Sequence, residues 1–358
     1  MKPFTFLMAG GGTGGHVIPS LAVARELQSR GHEAVFVGTR RGMEAKLVPA
    51  AGFPIEYIEI GGLKSVGLAQ TLRTALQLPS SVFRARQIAR GVKAAGVFSM
   101  GGYVAGPVML AAKWLRLPAI LMEPNAMPGM TNRRMARFVN RALLSFEEAS
   151  PYFPADRCEI TGLPVREEFF SIETKQPREP FTILITGGSR GSRTLNLAAQ
   201  AMWPLLKASG TPMRLIHQCG KESFQEIAAG FAATGLPGEV REFIEDIPSA
   251  FAASDLIVCR SGAGAVSELA AAGKPSILVP FPFAADQHQL RNAEALQHSG
   301  AARLVTDQEM NGERLLKEIL SITGQPGALQ SMGAAARTHA KPNAAKRAAD
   351  LLVMLAGG

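Results

Sequence analysis

The sequence predicts an α/β protein of two tandem domains, each built on an open parallel sheet. The chain has 358 residues, which is enough for two domains with a core each. Its halves begin alike, with FTFLMAGG from Phe4 and FTILITGG from Phe181, an offset of 177 residues (181 − 4). In both halves this apolar run precedes a Gly-rich turn and a helical pattern. Strand, helix and strand in that order require a parallel sheet.

A second pair of similar segments supports the same architecture. The run VFSMGG from Val97 leads through a helical pattern to LPAILM from Leu117. The run LIVCRSG from Leu256 leads in the same way to KPSILVP from Lys274. Both segments are β-α-β units, so the repeat extends beyond the first turn of each half.

The predicted domain limits follow from this repeat. The Pro-rich stretch 162–180 is typical of a linker. We therefore expect a first domain over residues 1–163, with a last helix within residues 342–358 packing back on it, and a second domain over residues 164–341. Ligands of such domains are expected at the carboxyl ends of the strands, in a cleft between the two domains.

The cysteines and the apolar segments argue against several classes of protein. Cys158, Cys219 and Cys259 are far apart and no CxxC occurs, so neither a disulfide framework nor a metal cluster is expected, and a reducing compartment is. The N-terminal segment predicts a first strand rather than a signal peptide. The long uncharged stretch 94–112 is interrupted by Gly and Pro, which favours a strand, a turn and a helix over a membrane span.

The positive charge is concentrated in the first half of the chain. Residues 1–163 hold 19 Lys and Arg against 10 Asp and Glu, whereas residues 164–358 hold 19 of each. Between Glu59 and Glu123 there are eight basic residues and no acidic one. Apolar side chains lie among them, which favours an anionic membrane surface as partner. A solvated helix pair is the alternative, and nucleic acid is disfavoured because no nucleic-acid motif occurs and aromatic residues are few. The residues predicted to contact the membrane are Arg73, Leu76, Phe83, Arg84 and Arg86.

The first Gly-rich turn, GGGTGGH over residues 10–16, is typical of a phosphate-binding loop at a helix N-terminus. An NAD site is disfavoured because the second predicted strand ends in Thr39-Arg40-Arg41 and not in an acidic residue. His16 lies just inside the helix, where a neutral imidazole could accept a proton from an attacking hydroxyl. A structural turn and a packing histidine are the alternatives.

The second half carries three more candidate segments at strand ends. The turn GGSRGS contains Ser189, whose hydroxyl could contact a phosphate. The run RSGAGAVSE places residues 261–264 at a helix N-terminus, where a leaving diphosphate is stabilised without metal. Glu268, further along that helix, could accept hydrogen bonds from ribose hydroxyls, and Gln289 could bind sugar hydroxyls. Structural roles are the alternative for each.

The motifs GGGTGGH, GGYVAGP, EPN, TN, GLPVR, GGSRGS, FIEDIP, RSGAGAVSE and DQHQLRNA occur in this order from residue 6 to about residue 355. Together they resemble the MurG family, bacterial transferases that add N-acetylglucosamine to undecaprenyl-diphosphate-muramoyl-pentapeptide. The resemblance implies a GT-B fold, with two Rossmann-like domains facing each other across a cleft. It implies an inverting transfer from UDP-N-acetylglucosamine to the C4 hydroxyl of the muramoyl sugar, in peptidoglycan synthesis. It also implies a peripheral place on the cytoplasmic face of the bacterial inner membrane, and contacts with other cell-wall and division proteins.

The resemblance assigns roles residue by residue. His16 is the predicted general base, with Glu123 as the alternative. Arg166 and Ser189 are expected to contact the diphosphate, and the backbone of Ile244 the uracil. The predicted donor-binding residues are Thr13, Gly14, Asn125, Arg166, Ser189, Ile244, Ser261, Gly262, Ala263, Gly264, Glu268 and Gln289. The predicted acceptor-binding residues are Gly12, Gly15, Gly102, Tyr103 and Asn132. No DxD occurs, so neither a metal nor a cofactor beyond the sugar donor is expected.

The sequence departs from the family pattern at two places. Pro124 stands where Gln is familiar in EQN, and Gly264-Ala265 where Leu-Thr or Met-Thr is familiar, which bears on the donor contacts near residue 264. Another UDP-sugar enzyme, such as a 2-epimerase or a glycolipid synthase, is the alternative enzyme class. A nucleotide-sugar binder without catalysis is the alternative outside enzymes.

Overall fold

The computed structural model describes residues 2–61, 68–173 and 180–357, and of residues 68–75 it describes the backbone alone. The chain divides into two compact units. The first unit is Met1–Val165 with Lys341–Gly358, and the second unit is Arg166–Ala340.

The first unit alternates strands and helices. Its strands are β1 (Thr5–Gly10), β2 (Glu33–Gly38), β3 (Ile55–Tyr57), β4 (Gly96–Gly101), β5 (Ala119–Glu123), β6 (Arg141–Leu144) and β7 (Cys158–Ile160). Its helices are α1 (Gly14–Ser29), α2 (Glu44–Ala50), α3 (Leu68–Gly91), α4 (Ala105–Leu115), α5 (Met130–Met135) and, at the end of the chain, α13 (Ala344–Gly357).

The second unit repeats this alternation. Its strands are β8 (Phe181–Thr186), β9 (Met213–Gln218), β10 (Gly238–Arg241), β11 (Leu256–Cys259), β12 (Ser276–Leu278) and β13 (Ala302–Leu304). Its helices are α6 (Arg193–Ser209), α7 (Phe224–Thr234), α8 (Ile247–Ala253), α9 (Ala263–Ala272), α10 (His288–His298), α11 (Gly312–Thr323) and α12 (Ala328–Thr338).

Both sheets are parallel and have the same topology at their centre. The first sheet has the order β3-β2-β1-β4-β5-β6-β7, and the second has the order β10-β9-β8-β11-β12-β13. Every strand pair is parallel, with Leu7 opposite Val35 and Val97 in the first sheet and Ile183 opposite Leu215 in the second. The strand order reverses between β1 and β4 and between β8 and β11. The FTFLMAGG and FTILITGG runs therefore form equivalent strands, which confirms the predicted pair of Rossmann-like parallel-sheet domains.

The strands are apolar on both faces because each sheet is covered on both sides. In β1, Leu7 and Ala9 point into one layer and Phe6 and Met8 into the other, and all four are at most 1% exposed. Continuous apolar runs of this kind are typical of parallel strands that are buried on both faces. The carboxyl ends of β1, β4, β8 and β11 are thus fixed by two cores, and the loops that follow them start from rigid positions.

The last helix belongs to the first unit. Helix α13 packs against α1, β4 and β5, and Leu351 and Leu352 are buried. Two ion pairs fasten it, one between Arg30 and Asp350 at 2.5 Å and one between Arg347 and Glu159 at 2.7 Å. Within the part of the chain that the structure describes, no helix is both long enough and apolar enough to cross a membrane.

Candidate active site

The first Gly-rich turn leads from β1 into α1 and places His16 in the first turn of that helix. The Nδ1 atom of His16 lies 3.2 Å from the carbonyl oxygen of Gly11. A carbonyl oxygen only accepts hydrogen bonds, so Nδ1 carries the proton and donates it. In the neutral ring the lone pair is then on Nε2, which is the atom that a general base uses.

Glu44, which no sequence motif indicated, accepts a hydrogen bond from this turn. Its carboxyl group is fully buried and accepts hydrogen bonds from the Gly12 amide at 2.8 Å, the Thr39 amide at 2.9 Å and the Thr39 hydroxyl at 3.0 Å. The Gly12 amide therefore donates to a carboxylate of the protein itself. The Gly12 amide is thus already engaged by a side chain of the protein, and the interpretation of the turn as a phosphate-binding loop stays a prediction.

Tyr103 and the two glycines before it lie at the carboxyl end of β4, beside the β1 turn. The Tyr103 hydroxyl lies 3.2 Å from the Thr39 hydroxyl, and burial raises the pKa of the phenol. Gly102 has φ +81°, and a Cβ there would lie 2.9 Å from the Gly11 carbonyl oxygen. Only glycine allows this close approach of the β4 turn to the β1 turn. The structure thus brings the predicted residues Gly12, Gly102 and Tyr103 together beside His16.

Glu123 ends β5 and is 1% exposed, with both carboxyl oxygens engaged. One oxygen accepts from the Asn125 amide at 3.0 Å and from its side chain at 3.2 Å. The other accepts from Asn132 Nδ2 at 2.8 Å and from the Gly129 amide at 3.1 Å. Burial raises the pKa of Glu123 to about 7 against these hydrogen bonds, which favour the charged form.

These contacts fold the β5 loop around one carboxyl group. The Glu123 hydrogen bonds come from residues 125, 129 and 132, so Pro124 removes no donor that Glu123 uses, although Gln is familiar at that position. The Oδ1 atom of Asn132 is buried and has no hydrogen-bond partner among the described residues. It lies against Gly101, where a Cβ would come within 2.6 Å of it.

In the second unit, Gln218 links two segments that the sequence analysis treated separately. It ends β9, donates to the Gly188 carbonyl oxygen at 2.7 Å and accepts from the Ile244 amide at 3.2 Å. Ser189 lies on the same turn and is exposed. The Ile244 amide, a candidate for pairing with uracil, is thus engaged by Gln218 in this structure.

The turn after β11 is held by helix α10. The Ser261 hydroxyl donates to the Gln289 carbonyl oxygen at 2.8 Å, and Asn292 Nδ2 donates to the Ser261 carbonyl oxygen at 3.1 Å. Gln289 Oε1 accepts from the Phe281 amide at 3.0 Å. The side-chain amide of Gln289 is therefore oriented, with its Nε2 group facing the turn at Gly262, where a Cβ would lie 4.0 Å from it.

Glu268 is half-buried on α9 and interacts with Arg166. Burial raises the pKa of Glu268 to about 7, and the positive charge of Arg166 acts in the opposite direction. Arg166 is exposed, and its guanidinium lies 5.1 Å from the centre of the Phe169 ring. A Cβ at Gly264 would meet no atom within 4 Å, so the departure from Leu or Met at this position leaves open space.

The loop before α10 has an unusual backbone. Asp286 and Gln287 both have φ +53°, in the left-handed region that side chains disfavour. His288 closes the turn, with Nδ1 at 2.6 Å from the Ala285 carbonyl oxygen. Backbone conformations of this kind concentrate at binding sites because the surrounding structure has to hold them.

The predicted membrane residues lie on α3, where Arg73 is outside the described side chains. Leu76 is 74% exposed and Phe83 is 49% exposed. Arg84 pairs with Glu56 at 3.1 Å, so its charge is partly compensated. The Arg86 guanidinium lies 4.4 Å from the centre of the Trp114 ring, and Trp114 of α4 is 59% exposed. Trp114 lies within the same acid-free stretch, but only the packing of α3 against α4 places its ring beside Arg86.

Among the described residues, the cysteines and the potential metal ligands do not form clusters. All three cysteines are free, and Cys219 and Cys259 are buried. Across residues 2–61, 68–173 and 180–357, no group of three or more His, Cys, Asp and Glu side chains is placed to hold a metal ion.

Two family profiles match the chain, one in each unit. Residues 6–144 match the N-terminal domain of glycosyltransferase family 28, and residues 182–348 match its C-terminal domain. The two parallel-sheet domains and these matches define a family 28 glycosyltransferase with a GT-B fold.

Similar proteins show to which family of these glycosyltransferases the chain belongs. A UDP-N-acetylglucosamine–N-acetylmuramyl-(pentapeptide) pyrophosphoryl-undecaprenol N-acetylglucosamine transferase from Solibacter usitatus is 62% identical, over 97% of this chain and 95% of the relative. The protein of the same name from Myxococcus xanthus is 39% identical, over 98% and 92%. The crystal structure of MurG from Acinetobacter baumannii superposes with a TM-score of 0.85 at 34% identity, covering 99% of this chain and all of that chain. The chain belongs to the MurG family.

More distant structures share the fold alone. The calicheamicin glycosyltransferase CalG4 has a TM-score of 0.70 at 17% identity, covering 100% of this chain and 99% of that chain.

Proposed function

We propose that this chain transfers N-acetylglucosamine from UDP-N-acetylglucosamine to the C4 hydroxyl of N-acetylmuramoyl-pentapeptide on undecaprenyl diphosphate, a step of peptidoglycan synthesis. The observation that carries the proposal is 62% identity over 97% of the chain to a relative named for this transfer. The donor linkage is α and the product linkage β, so one in-line displacement inverts the anomeric carbon.

His16 is the proposed general base. Its Nδ1–H is used by the Gly11 carbonyl oxygen, so the neutral ring offers Nε2 to the acceptor hydroxyl. As the C4 oxygen bonds to the anomeric carbon, the hydroxyl proton moves to Nε2. The bond from the anomeric carbon to the diphosphate oxygen breaks, and its electron pair leaves with UDP.

Glu123 is proposed to position the β5 loop rather than to accept the proton. Its oxygens already accept from the Asn125 amide, the Asn125 side chain, the Gly129 amide and Asn132. A base in this place would have to give up one of these hydrogen bonds in a buried site, which costs about 1–3 kcal/mol. Asn125 and Asn132 are then held for the donor and the acceptor, respectively.

The second unit is proposed to bind the donor. The first amides of α9, at Ala263 and Gly264, have no partner in the helix and suit the departing diphosphate. Arg166 and Ser189 add a charge and a hydroxyl. Glu268 accepts hydrogen bonds from the ribose hydroxyls, and the oriented side-chain amide of Gln289 binds the sugar. No metal is required in this arrangement, because the developing charge is met by helix amides and an arginine.

Membrane association is proposed to occur through Leu76, Phe83 and Trp114 together with Arg86. Apolar side chains exposed beside a cation suit the boundary between anionic headgroups and acyl chains. This surface supports a peripheral location on the cytoplasmic face of the bacterial inner membrane. Contacts with other cell-wall and division proteins remain a prediction.

Purified protein tests the reaction directly. UDP release is measured with UDP-N-acetylglucosamine and with UDP-glucose, each combined with a lipid-diphosphate muramoyl-pentapeptide acceptor or with the lipid diphosphate alone. We expect turnover only with the N-acetylated donor and the muramoyl acceptor. Conversion of the donor without any acceptor would instead indicate an epimerase or a hydrolase.

The His16→Ala variant tests the base. We expect turnover to fall about 100-fold or more, as removal of a general base does, with the affinity for UDP-N-acetylglucosamine changed little. The comparison is His298→Ala, which removes an exposed histidine at the end of α10. Equal turnover in the two variants would remove His16 from the base role.

A further inference from the structure

An open pocket of about 690 Å³ lies in the first unit beside the proposed acceptor residues. It is lined by α5 and the turn after it on one side, and by the segment 151–154 on the other. The lining residues on which the argument depends are Met130, Arg133, Arg134, Arg137, Pro151 and Tyr152.

Helix α5 contributes residues both to the pocket and to the hydrogen bonds of Glu123. Asn132 is buried on one side of this helix and donates to Glu123. Arg133 and Arg134, its neighbours, are exposed and line the pocket, as does Arg137 beyond the helix. One short helix therefore carries both the residue that contacts Glu123 and residues that line the pocket.

The topology places both features at the same edge of the sheet. The Glu123 loop follows the carboxyl end of β5, and the segment 147–154 follows the carboxyl end of β6, the next strand in the sheet. Neighbouring strands are about 4.8 Å apart. An acceptor sugar held by the β4 and β5 loops thus has this pocket as the next feature along the edge.

The three guanidinium groups of the lining favour an anionic ligand. Among the described residues, no acidic side chain lines the pocket, and the Arg137 guanidinium lies 5.2 Å from the centre of the Phe138 ring. Glu147 and Glu148 are close in sequence but are not lining residues. The Arg133 guanidinium lies 5.8 Å from the centre of the Tyr152 ring, and both side chains line the pocket. Arginines bind carboxylates through paired hydrogen bonds, and tyrosine and proline provide flat surfaces for a peptide chain.

We propose that this pocket binds the peptide of the acceptor, with the peptide's carboxylate on Arg134 and Arg137. The inference rests on the proposed function, which supplies an acceptor that carries a pentapeptide. A peptide joined to a sugar acid through its amino end has a free carboxylate at its other end. The pocket volume is within the range of sites for ligands larger than a single charged group.

A phospholipid headgroup is the competing ligand, because Arg137 contacts the Phe138 ring, which Lys113 beside Trp114 also contacts. The exposed aliphatic and aromatic side chains that suit acyl chains are Leu76 and Phe83 on α3 and Trp114 on α4. None of these three side chains lines the pocket, whose lining combines guanidinium groups and prolines with Met130, Tyr152 and Phe153. The peptide therefore accounts for both the charge and the shape of the lining.

The double variant Arg134→Gln/Arg137→Gln tests the proposal in the full-length protein. Two acceptors are used, a lipid-diphosphate muramoyl sugar with the pentapeptide and the same lipid without the peptide. Loss of two charge-assisted hydrogen bonds is expected to raise the KM for the pentapeptide acceptor about tenfold or more. The KM for the peptide-free acceptor and the KM for UDP-N-acetylglucosamine are expected to stay unchanged.

The control variant Lys2→Gln/Arg25→Gln removes two exposed cations elsewhere in the first unit and is expected to behave as wild type with both acceptors. An equal rise in KM for both acceptors, or no rise for either, would overturn the peptide assignment. Loss of binding to anionic vesicles in the Arg134→Gln/Arg137→Gln variant, with acceptor discrimination unchanged, would assign the pocket to lipid instead. If wild-type protein turns over neither acceptor, the proposed function fails; if it turns over both equally well, only the peptide inference fails.

Discussion

Two buried carboxylates organise the first unit at the scale of single residues. Glu44 accepts hydrogen bonds from the β1 turn and from Thr39, and Glu123 accepts them from the loop after β5. A buried carboxylate that accepts several backbone N–H groups fixes loop positions strongly, because losing a partner leaves a polar group unpaired. The candidate base His16 sits on one of these loops and Asn132 on the other.

Glu44→Gln tests the first of these carboxylates. Glutamine offers one acceptor oxygen in place of two and turns an NH2 group toward either the Gly12 amide or the Thr39 amide, which is expected to cost about 1–3 kcal/mol of stability. We expect a lower Tm and a turnover at least about tenfold below wild type, because displacing the turn misplaces His16. The control Glu33→Gln removes an exposed carboxylate that accepts from the Thr5 hydroxyl. Turnover equal to that of this control would argue against a positioning role for Glu44.

The raised pKa of Glu268 predicts that donor binding depends on pH. Its pKa of about 7 in the folded protein lies above the ordinary 4.5, because burial disfavours the charge. Its contribution to stability is therefore fully present below about pH 4.5 and is lost as the pH rises through about 7. Ribose hydroxyls bind the ionised carboxylate, so the affinity for UDP-N-acetylglucosamine is expected to increase from pH 6 to pH 8.

The measurement is calorimetric titration of the wild type and of Glu268→Gln at several pH values. UDP-N-acetylglucosamine is used because its diphosphate is esterified at both ends and does not titrate in this range. The variant is expected to bind more weakly and with little pH dependence. A variant that keeps the wild-type affinity and pH profile would refute the ribose assignment.

At the scale of elements, the loops after the strands carry the chemistry and the strands fix their positions. The turns after β1 and β8 are equivalent in topology, yet their backbone groups have different partners. The Gly12 amide donates to Glu44, whereas the Gly188 carbonyl oxygen accepts from Gln218. The sequence predicted both turns because Gly-rich segments after apolar strands are local patterns. Their partners lie 32 and 30 residues away along the chain, so a local pattern could not indicate them.

Helices α3 and α4 together present the surface proposed for membrane binding. Phe83→Ser/Trp114→Ser removes two exposed rings and is expected to reduce binding to vesicles that contain anionic lipid several-fold, because the apolar anchor is lost. Co-sedimentation with vesicles measures this. The control Phe243→Ser removes an exposed ring of the second unit. Equal loss of binding in both variants, or none in either, would contradict the assignment to α3 and α4.

At the scale of the whole molecule, the chain begins and ends in the first unit. Helix α13 covers α1, β4 and β5, so the carboxyl-terminal segment completes the core on which the proposed acceptor site is built. The excess positive charge of the chain lies in residues 1–163. The sequence gives the charge distribution directly, whereas the packing of the last helix on the first domain was an expectation that sequence alone could not establish.

Leu352→Ala tests the contribution of α13. Leu352 is 1% exposed, and truncating a buried leucine costs about 2–5 kcal/mol. We expect a lower Tm and faster amide exchange in peptides from β1 and β4, with peptides from β8 and β11 unchanged. Hydrogen exchange followed by mass spectrometry gives the comparison, and Met354→Ala, at an exposed position on the same helix, is the control. Increased exchange in β8 and β11 but not in β1 and β4 would contradict the placement of α13 in the first unit.

The order of strands and helices, the two parallel-sheet domains and the candidate loops could be predicted from local patterns, because apolar periodicity and glycine turns are properties of neighbouring residues. The groups that meet at those loops could be identified only in the folded chain. Glu44 reaches Gly12, Gln218 reaches Ile244, and Arg86 stacks on Trp114. These contacts depend on the positions that the two cores give to distant segments, and a hydrogen bond or a ring contact forms only when folding has brought its partners within a few ångströms.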